Sequence, residues 1–548
     1  MRFVLKLFAV VLGLVGLGAG TAARAQESGG RVVLVLPFEN RSGNPSLSWI
    51  GDSFPDTLNK RMTSVGFLTL SRDDRVFAYD HLGLPEDFKP SRATTIKIAQ
   101  QLDANFVIIG SFNVTQNAGA AAADGATAAD ATANESINIQ AQVLSIDDLN
   151  LSAPVQDGAN LNQLYDAENA IAWKLGRVLD PHFNIAEETF LAAPGGVALP
   201  AFEDYIRGVN AATPEERLQR LKAAVALAPD YAAALLALGK EQYAQRDYAA
   251  AAMTLARVPA GDRLALEANF YLGLARFNNA NYAGAEDAFG FIVSRLPLPE
   301  VVNDEGVAQS RQGKDAVPLF ERATQADPAN EDYRFNLALA LFRRGDTVSS
   351  AREADAALKM KPDDKEAQDL RGRLAAVPVG TRLTASADSS FAPVERIIRA
   401  YSESSYRQAA FQVDQIRVAR LAALPPAERI AESVQLGRDY LAQDLLPEAE
   451  GQFNAVLAVD PRSAAAHAGL AQVREMSGQT EQARKEARMS LQIQSNAAAW
   501  VVLGRLDYAA NALDLSTGDV IQALQLEPTN PEALALRQLL AQHGQNIP

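Results

Sequence analysis

The amino-terminal part of the chain alternates short apolar runs with amphipathic segments. Residues 31–37 form a continuous, mostly β-branched apolar run, which is typical of a strand buried on both faces. Residues 48–62 place apolar side chains at helical spacing, and residues 136–146 alternate apolar with polar side chains as a half-exposed antiparallel strand does. This pattern predicts a small α/β module. The other predicted elements are strands at 67–70 and 106–111 and helices at 96–102 and 161–179.

From residue 199 onward the chain repeats one pattern of small, aromatic and proline residues. Two stretches share the same spacing from glycine to alanine, from alanine to phenylalanine and from phenylalanine to proline. In a third stretch, Gly504 and Pro528 have the same separation as the glycine and proline of the first two. The first two stretches contain Gly273, Ala285, Phe289 and Pro297, and then Gly437, Ala449, Phe453 and Pro461.

Each residue type in this pattern has a local physical role. Glycine and alanine fit where two antiparallel helices approach most closely, and phenylalanine fills the space between successive hairpins. Proline ends the second helix because it cannot continue the hydrogen-bond ladder. The pattern resembles the tetratricopeptide repeat, a helix-turn-helix unit of about 34 residues. We therefore predict two repeat blocks at 199–376 and 395–548, a linker at 377–394, and a closing helix at 531–543 that covers the last apolar face.

The amino-terminal module carries a set of short motifs in a fixed order. These are Val-Leu-Pro-Phe-Glu-Asn-Arg-Ser-Gly-Asn-Pro at 35–45, Trp-Ile-Gly-Asp at 49–52 and Ile-Ala-Gln-Gln-Leu-Asp-Ala-Asn-Phe-Val-Ile-Ile-Gly-Ser at 98–111. In this order they resemble the TolB-like amino-terminal domain of bacterial regulators and repeat proteins, and we assign residues 26–195 to it. The resemblance implies a non-catalytic α/β module, associated with the cell envelope and followed by tetratricopeptide repeats. The alanine-rich, low-complexity loop at 117–135 departs from the tight hairpin of that family.

The predicted fold class is therefore α+β and multidomain. A small α/β amino-terminal module precedes an all-α tetratricopeptide-repeat solenoid.

The segment at 1–25 has the features of a signal peptide. Arg2 and Lys6 precede an apolar run at 7–19, and Ala23-Arg24-Ala25 supplies the small residues that signal peptidase reads. We expect cleavage before Gln26 and a periplasmic mature chain; an uncleaved anchor is the alternative. Because the sequence contains no cysteine, it excludes a thioether-linked lipid, disulfides and a thiolate metal site.

Charge and hydropathy limit the classes of partner. Removal of the signal peptide lowers 51 basic residues to 48 and leaves 66 acidic residues, for a net charge of −18. That balance argues against nucleic acid, whose binding requires neutralisation of phosphates. No other apolar stretch is long enough to cross a bilayer, so we expect no integral membrane segment after cleavage.

The sequence offers little catalytic chemistry. The histidines, His81, His182, His467 and His543, lie far apart. No His-Glu-x-x-His helix, Gly-x-Ser-x-Gly elbow, phosphate loop or dinucleotide fingerprint is present. We therefore predict a chain that is not an enzyme and uses no cofactor or metal. The segment Arg41-Ser42-Gly43-Asn44-Pro45 follows a buried strand and is either a simple turn or a point of contact with a ligand or partner.

The concave face of the first repeat block is the predicted binding site. Helical spacing places an apolar strip there, and such a strip is typical of a contact surface. We predict that it grips an apolar peptide segment or the amino-terminal module; packing within the repeats is the alternative. The second block is more polar at matching positions, with Arg438, Gln472, Glu475 and Arg505, which suggests a different partner. The predicted strip consists of Leu236, Tyr243, Phe270, Leu274, Phe277, Phe335, Leu339 and Phe342.

Two functions agree with these features. The first is a periplasmic scaffold that binds a protein or peptide partner and helps to assemble or organise envelope complexes. The second is a small-ligand sensor, in which the α/β module binds a glycan or metabolite and the repeats relay the signal.

Overall fold

The computed structural model of the chain describes most of the module and of both repeat blocks. The predicted signal peptide and nearly all of the loop at 117–135 lie outside these residues. The described residues are 31–85, 88–116, 135–192, 197–383, 393–399, 409, 416–417 and 419–545.

Within the described residues, six strands form one mixed sheet in the order β3-β1-β4-β5-β6, with β2 paired to β4. The strand β1 runs parallel to β3 and β4, and β5 runs antiparallel to β4 and β6. Val33 and Val35 face one apolar core and Leu34 faces a second, which confirms the prediction of a strand buried on both faces. The strands are β1 Val32–Val35, β2 Glu39–Asn40, β3 Leu68–Thr69, β4 Phe106–Gln116, β5 Glu135–Ser145 and β6 Val155–Asn160.

Helices cover both faces of this sheet. Two of them, α1 and α4, pack with Val33 and Val35, while α2 and α3 pack with Leu34. The helix α2 was absent from the sequence prediction, although Ser71 and Asp74 form a capping box at its start. The module helices are α1 Trp49–Ser64, α2 Arg72–Leu82, α3 Arg92–Gln101, α4 Leu164–Leu179 and α5 Glu187–Leu191.

From residue 199 onward, the described helices form two blocks of antiparallel helical hairpins, as predicted. Within each block the hairpins pack on one another, and the last helix of the second block covers its final hairpin. The first block comprises α6 Leu199–Val209, α7 Pro214–Leu227, α8 Ala232–Ala244, α9 Tyr248–Leu255, α10 Ala265–Asn278, α11 Tyr282–Val293, α12 Pro299–Arg311, α13 Val317–Ala326, α14 Glu331–Arg344, α15 Thr347–Met360 and α16 Lys365–Ala376. The second comprises α17 Pro426–Leu441, α18 Leu446–Val459, α19 Ala464–Met476, α20 Thr480–Ile493, α21 Ala497–Ala509, α22 Leu513–Leu526 and α23 Pro531–Gln542.

The glycines of the repeats lie where helices come closest. A Cβ atom on Gly273 would lie 2.6 Å from the ring of Phe289. The ring of Phe453 lies between Gly437 and Gly469, at 2.6 and 2.3 Å from the corresponding Cβ positions. These contacts confirm the predicted roles of the glycine and the phenylalanine.

This packing predicts opposite effects for the same substitution at two glycines of the second block, Gly451 on α18 and Gly469 on α19. Gly469→Ala should lower the free energy of unfolding by about 1–3 kcal/mol, because the new methyl group overlaps the buried ring of Phe453. Gly451→Ala should raise it by about 0.5–1 kcal/mol, because its helical position has no neighbour within 4 Å of the new Cβ. Urea unfolding of the two variants measures both changes. Equal effects would contradict the close approach at Gly469.

The module and the first repeats share one apolar core, and a carboxyl group is buried beside it. Glu168 on α4 accepts a hydrogen bond of 2.5 Å from the hydroxyl of Thr57 and contacts the hydroxyl of Ser53. Ser53 also donates to the carbonyl of Ile50 at 2.8 Å, so its one hydroxyl proton cannot serve both acceptors. When Glu168 is protonated, it can donate to the hydroxyl oxygen of Ser53, and each of these polar groups then has a hydrogen-bond partner. Burial raises the pKa of Glu168 to about 8, in agreement with this arrangement.

The stability of the chain should therefore depend on the titration of Glu168. Between its ordinary pKa of 4.5 and about 8, the folded chain binds a proton that the unfolded chain has released. The free energy of unfolding should then fall as pH rises, by about 1.4 kcal/mol per pH unit. Glu168→Gln removes this contribution, so the variant should gain stability relative to the unsubstituted chain over this range. Thermal melts of both proteins across the range measure the difference, and parallel curves would contradict it.

None of the helices in the described part of the chain combines the length and the apolar character that crossing a bilayer requires.

Candidate peptide-binding site

A segment of the chain itself lies in the concave groove of the first repeat block. This resident segment, residues 393–399, has no regular secondary structure and lies against α12 and α14. The groove is the surface formed by the polar residues that contact it and the apolar side chains beneath them. Its polar residues are Asn303, Asp304, Ser310, Arg311, Asp332, Asn336, Arg343, Asp364 and Glu366.

Side-chain amides hold the backbone of the resident segment. The amide of Asn336 accepts from the N–H of Arg396 at 2.7 Å and donates to its carbonyl, also at 2.7 Å. Asn303 donates to the same carbonyl at 3.1 Å, and Asp304 accepts from the N–H of Ile398 at 2.8 Å. These bonds satisfy the backbone of an extended peptide as a neighbouring strand would, whatever its side chains are.

A basic pocket receives the carboxylate of Glu395, whose side chain has no exposed surface. Arg343 forms an ion pair with it and Ser310 donates a hydrogen bond to it. The Nε atom of Arg311 lies 3.4 Å from its second oxygen. Two cations and a hydroxyl thus compensate for the burial of one anion.

An acidic wall receives the guanidinium of Arg396 on the opposite side. Its two terminal nitrogens bind the two oxygens of Asp364 at 2.7 and 2.8 Å. Asp332 and Glu366 accept further bonds at 2.8 and 2.9 Å, and the guanidinium carbon lies 3.9 Å from the centre of the Phe335 ring. The hydrogen bond from Arg396 lowers the pKa of Asp364 below its ordinary 3.8, so the carboxylate stays charged.

The two isoleucines of the resident segment face apolar surface. Ile397 packs against the buried cluster that contains Phe270 and Leu274. Ile398 packs against the cluster that contains Val302 and Tyr333. Apolar burial therefore accompanies the polar contacts along the groove.

The residues of the predicted strip lie mainly beneath this groove. Phe270 and Leu274 are fully buried, and their cluster supports Ile397. Phe335 contacts Arg396, while Leu339 and Phe342 belong to the same buried cluster as Phe335. The structure thus places these side chains in the apolar floor, and their part in binding an external partner stays a prediction. Of the others, Leu236 is buried in the core shared with the module, and Tyr243 and Phe277 are partly buried beside the floor.

The described residues 377–383, which follow α16, contact the first block. Val377 and Leu383 pack on the cluster of Phe342, and the N–H of Leu383 donates to the carbonyl of Phe342 at 3.1 Å. The prediction began the second block at residue 395, whereas residues 395–399 are not helical and lie in the groove of the first block. The backbone bonds to Asn303 and Asn336 account for this difference.

Sequence reasoning missed the polar residues of the groove. Asn303 and Asn336 are fully buried, and they lie 33 residues apart on α12 and α14, the first helices of two successive hairpins. Ser310 and Arg343 have the same separation along the chain as these two asparagines. The signal available in the sequence was a polar residue that recurs at one position of successive repeats, on the buried face of the helix.

Two other candidates have structural partners. In the segment at 41–45, Asn44 accepts from the N–H of Ser46 and caps a short helical turn, in agreement with the turn interpretation. His467 is buried and lies 2.7 Å from a carboxylate oxygen of Glu486 and 3.2 Å from the carbonyl of Pro461. That geometry agrees with a packed histidine.

The second block contacts the amino-terminal module through polar side chains. Arg474 on α19 binds the buried carboxylate of Glu450 at 2.6 Å and donates to the hydroxyl of Thr189 on α5 at 2.8 Å. Gln479 also donates to Thr189, at 3.1 Å. Of the polar positions singled out in this block, Glu475 and Arg505 bind each other at 2.6 and 2.7 Å.

Two segments of the chain match family models described as Tetratricopeptide repeat, at residues 308–374 and 434–498. Both repeat blocks contain tetratricopeptide repeats. No curated protein matches the chain.

Several solved structures are similar to parts of the chain. MamA 41-end from Desulfovibrio magneticus RS-1 is 17% identical, with 31% of this chain and 99% of that chain covered and a TM-score of 0.28. YrrB, described as a TPR protein with an unusual peptide-binding site, is 16% identical, with 38% and 100% covered and a TM-score of 0.28. The LpoB C-terminal domain from Escherichia coli is 18% identical, with 24% and 82% covered and a TM-score of 0.18.

Proposed function

We propose that this chain is an exported, non-catalytic protein-interaction scaffold of the periplasm that helps to assemble or organise envelope complexes. The groove of its first repeat block binds an extended segment of a partner protein. One observation carries this proposal: the groove already holds the resident segment through hydrogen bonds between the backbone of Arg396 and Ile398 and the side chains of Asn303, Asp304 and Asn336. A site that pairs with backbone in this way accepts an extended peptide from another chain as well as from its own.

The signal-peptide features of the segment at 1–25 support the periplasmic part of the proposal. Tetratricopeptide repeats support the scaffold part, because stacked hairpins present an extended concave surface to a partner.

Two opposite changes to the groove test this function inside the cell. Glu395→Ala/Arg396→Ala weakens the resident segment and leaves the groove residues intact, so crosslinking of the partner should increase. Asn303→Ala/Asn336→Ala removes the amides that hold any peptide backbone, so crosslinking of the same partner should be lost. Both variants are compared with the unsubstituted chain by in-cell crosslinking, pulldown and mass spectrometry. Partner capture that is equal for all three chains would contradict binding in the groove.

A further inference from the structure

We propose that the groove selects partner segments with an acid–arginine–aliphatic–aliphatic tetrad in extended conformation. The resident segment, with Glu395, Arg396, Ile397 and Ile398, is a built-in competitor that carries the same tetrad. This inference rests on the proposed function and specifies the chemistry of the partner.

The acidic position is selected by the basic pocket. Arg311 and Arg343 face one carboxylate from which water is excluded, since the side chain of Glu395 is fully buried. A neutral side chain there would leave two partly buried guanidinium groups without their anion, and a basic one would add like-charge repulsion.

The second position is selected for arginine rather than lysine. Asp364 binds the guanidinium through two parallel hydrogen bonds, and Phe335 stacks on its face at 3.9 Å. A lysine ammonium is a compact point charge that makes neither the paired bonds nor the planar stack. Asp332 and Glu366 add further negative charge around the same site.

The arrangement of charges also fixes the direction of the bound peptide. Arg311 and Arg343 lie at the carboxyl ends of α12 and α14, while Asp332 and Asp364 lie at the amino ends of α14 and α16. In a peptide with the acid and the arginine exchanged, the arginine would face Arg311 and Arg343, and the acid would face Asp332 and Asp364. The two aliphatic positions then fall on the apolar floor at Phe270 and Val302.

The resident segment sets the threshold for partner binding. Because it is part of the same chain, it competes at an effective concentration on the order of millimolar. A partner segment must therefore exceed it in affinity or in local concentration. Only segments that match most positions of the tetrad meet that condition. The resident segment therefore excludes partner segments that match the tetrad poorly.

Fluorescence anisotropy with labelled synthetic peptides tests the tetrad on the full chain. The native probe is Pro-Val-Glu-Arg-Ile-Ile-Arg, the sequence of residues 393–399. It should bind Glu395→Ala/Arg396→Ala at least about tenfold more tightly than the unsubstituted chain. A swapped probe, in which the glutamate and first arginine change places, should bind that variant about a hundredfold more weakly than the native probe. Circular dichroism confirms that the variant retains its helices.

A second variant separates arginine selection from simple charge. On the Glu395→Ala/Arg396→Ala background, Asp364→Asn should reduce the preference for the native probe over a probe with lysine at the arginine position. Equal binding of the native and swapped probes, or no binding of the native probe to the weakened variant, would overturn the tetrad. If the peptides gave one of these results but in-cell capture of a partner still required Asn303 and Asn336, the groove would bind a partner, as the proposed function states, without selecting the tetrad.

Discussion

Arg474→Ala should lower the free energy of unfolding by about 3–5 kcal/mol. The substitution leaves the fully buried carboxylate of Glu450 without its cation, and an uncompensated buried charge is among the most destabilising changes in a folded protein. It also removes one of the two donors to Thr189, so the contact between the second block and the module becomes weaker, while the bond from Gln479 to Thr189 remains. Urea unfolding followed by circular dichroism measures the loss.

An exposed ion pair provides the matched control. Arg371 binds Asp355 at 2.7 Å between α16 and α15, and both side chains are solvent-accessible. Arg371→Ala should therefore cost at most about 1 kcal/mol. On the Arg474→Ala background, Glu450→Gln should recover part of the loss, since it removes the unpaired charge. Equal losses for Arg474→Ala and Arg371→Ala, or no recovery, would contradict the assignment of Glu450 as a buried anion.

Arg311→Ala/Arg343→Ala should release the resident segment from the groove without unfolding the repeats. The double substitution leaves the buried carboxylate of Glu395 with only the hydroxyl of Ser310, a loss of about 3–5 kcal/mol. The segment can leave the groove, so this cost should appear as a population of released segment that is larger by roughly two to four orders of magnitude. A glutamate-specific protease should then cut after Glu395 faster by a similar factor, because cleavage follows the open population.

Arg344→Ala/Arg371→Ala is the control for this second prediction. It removes two arginines from exposed pairs of the same block and should leave cleavage after Glu395 unchanged. Mass spectrometry identifies the cleavage site, and circular dichroism confirms that both variants stay helical. If the two double variants were cut at the same rate, the basic pocket would not be what holds the segment.

Local patterns were sufficient to predict most elements of the fold. The apolar β-branched run of β1 is visible in the sequence itself, although its partner strands β3 and β4 lie far along the chain, and the Gly273–Phe289 contact lies within one hairpin. The helix α2 was missed because its apolar face is weak: Phe77 is exposed, and Ala78 and Tyr79 are the buried residues. The capping box at Ser71 marks the start of this helix, but a search for apolar periodicity alone does not detect it.

The groove was harder to predict because its occupant lies far away in the sequence. Periodicity identified the apolar floor at Phe270 and Phe335, since floor residues recur at helical spacing. It could not identify the amides, because Asn303 and Asn336 are buried polar residues whose partners lie 93 and 60 residues further along the chain. The pairing of Glu395 and Arg396 with opposite charges likewise depends on how α12, α14 and α16 stack.

Amide hydrogen exchange over residues 393–399 tests most directly that the groove binds an extended peptide. The N–H groups of Arg396 and Ile398 donate to Asn336 and Asp304, so we expect both to exchange at least about a hundredfold more slowly than in an unstructured peptide. In Asn303→Ala/Asn336→Ala this protection should disappear while the helices of the first block remain protected. Exchange of Arg396 and Ile398 at the unstructured rate in the unsubstituted chain would contradict the account.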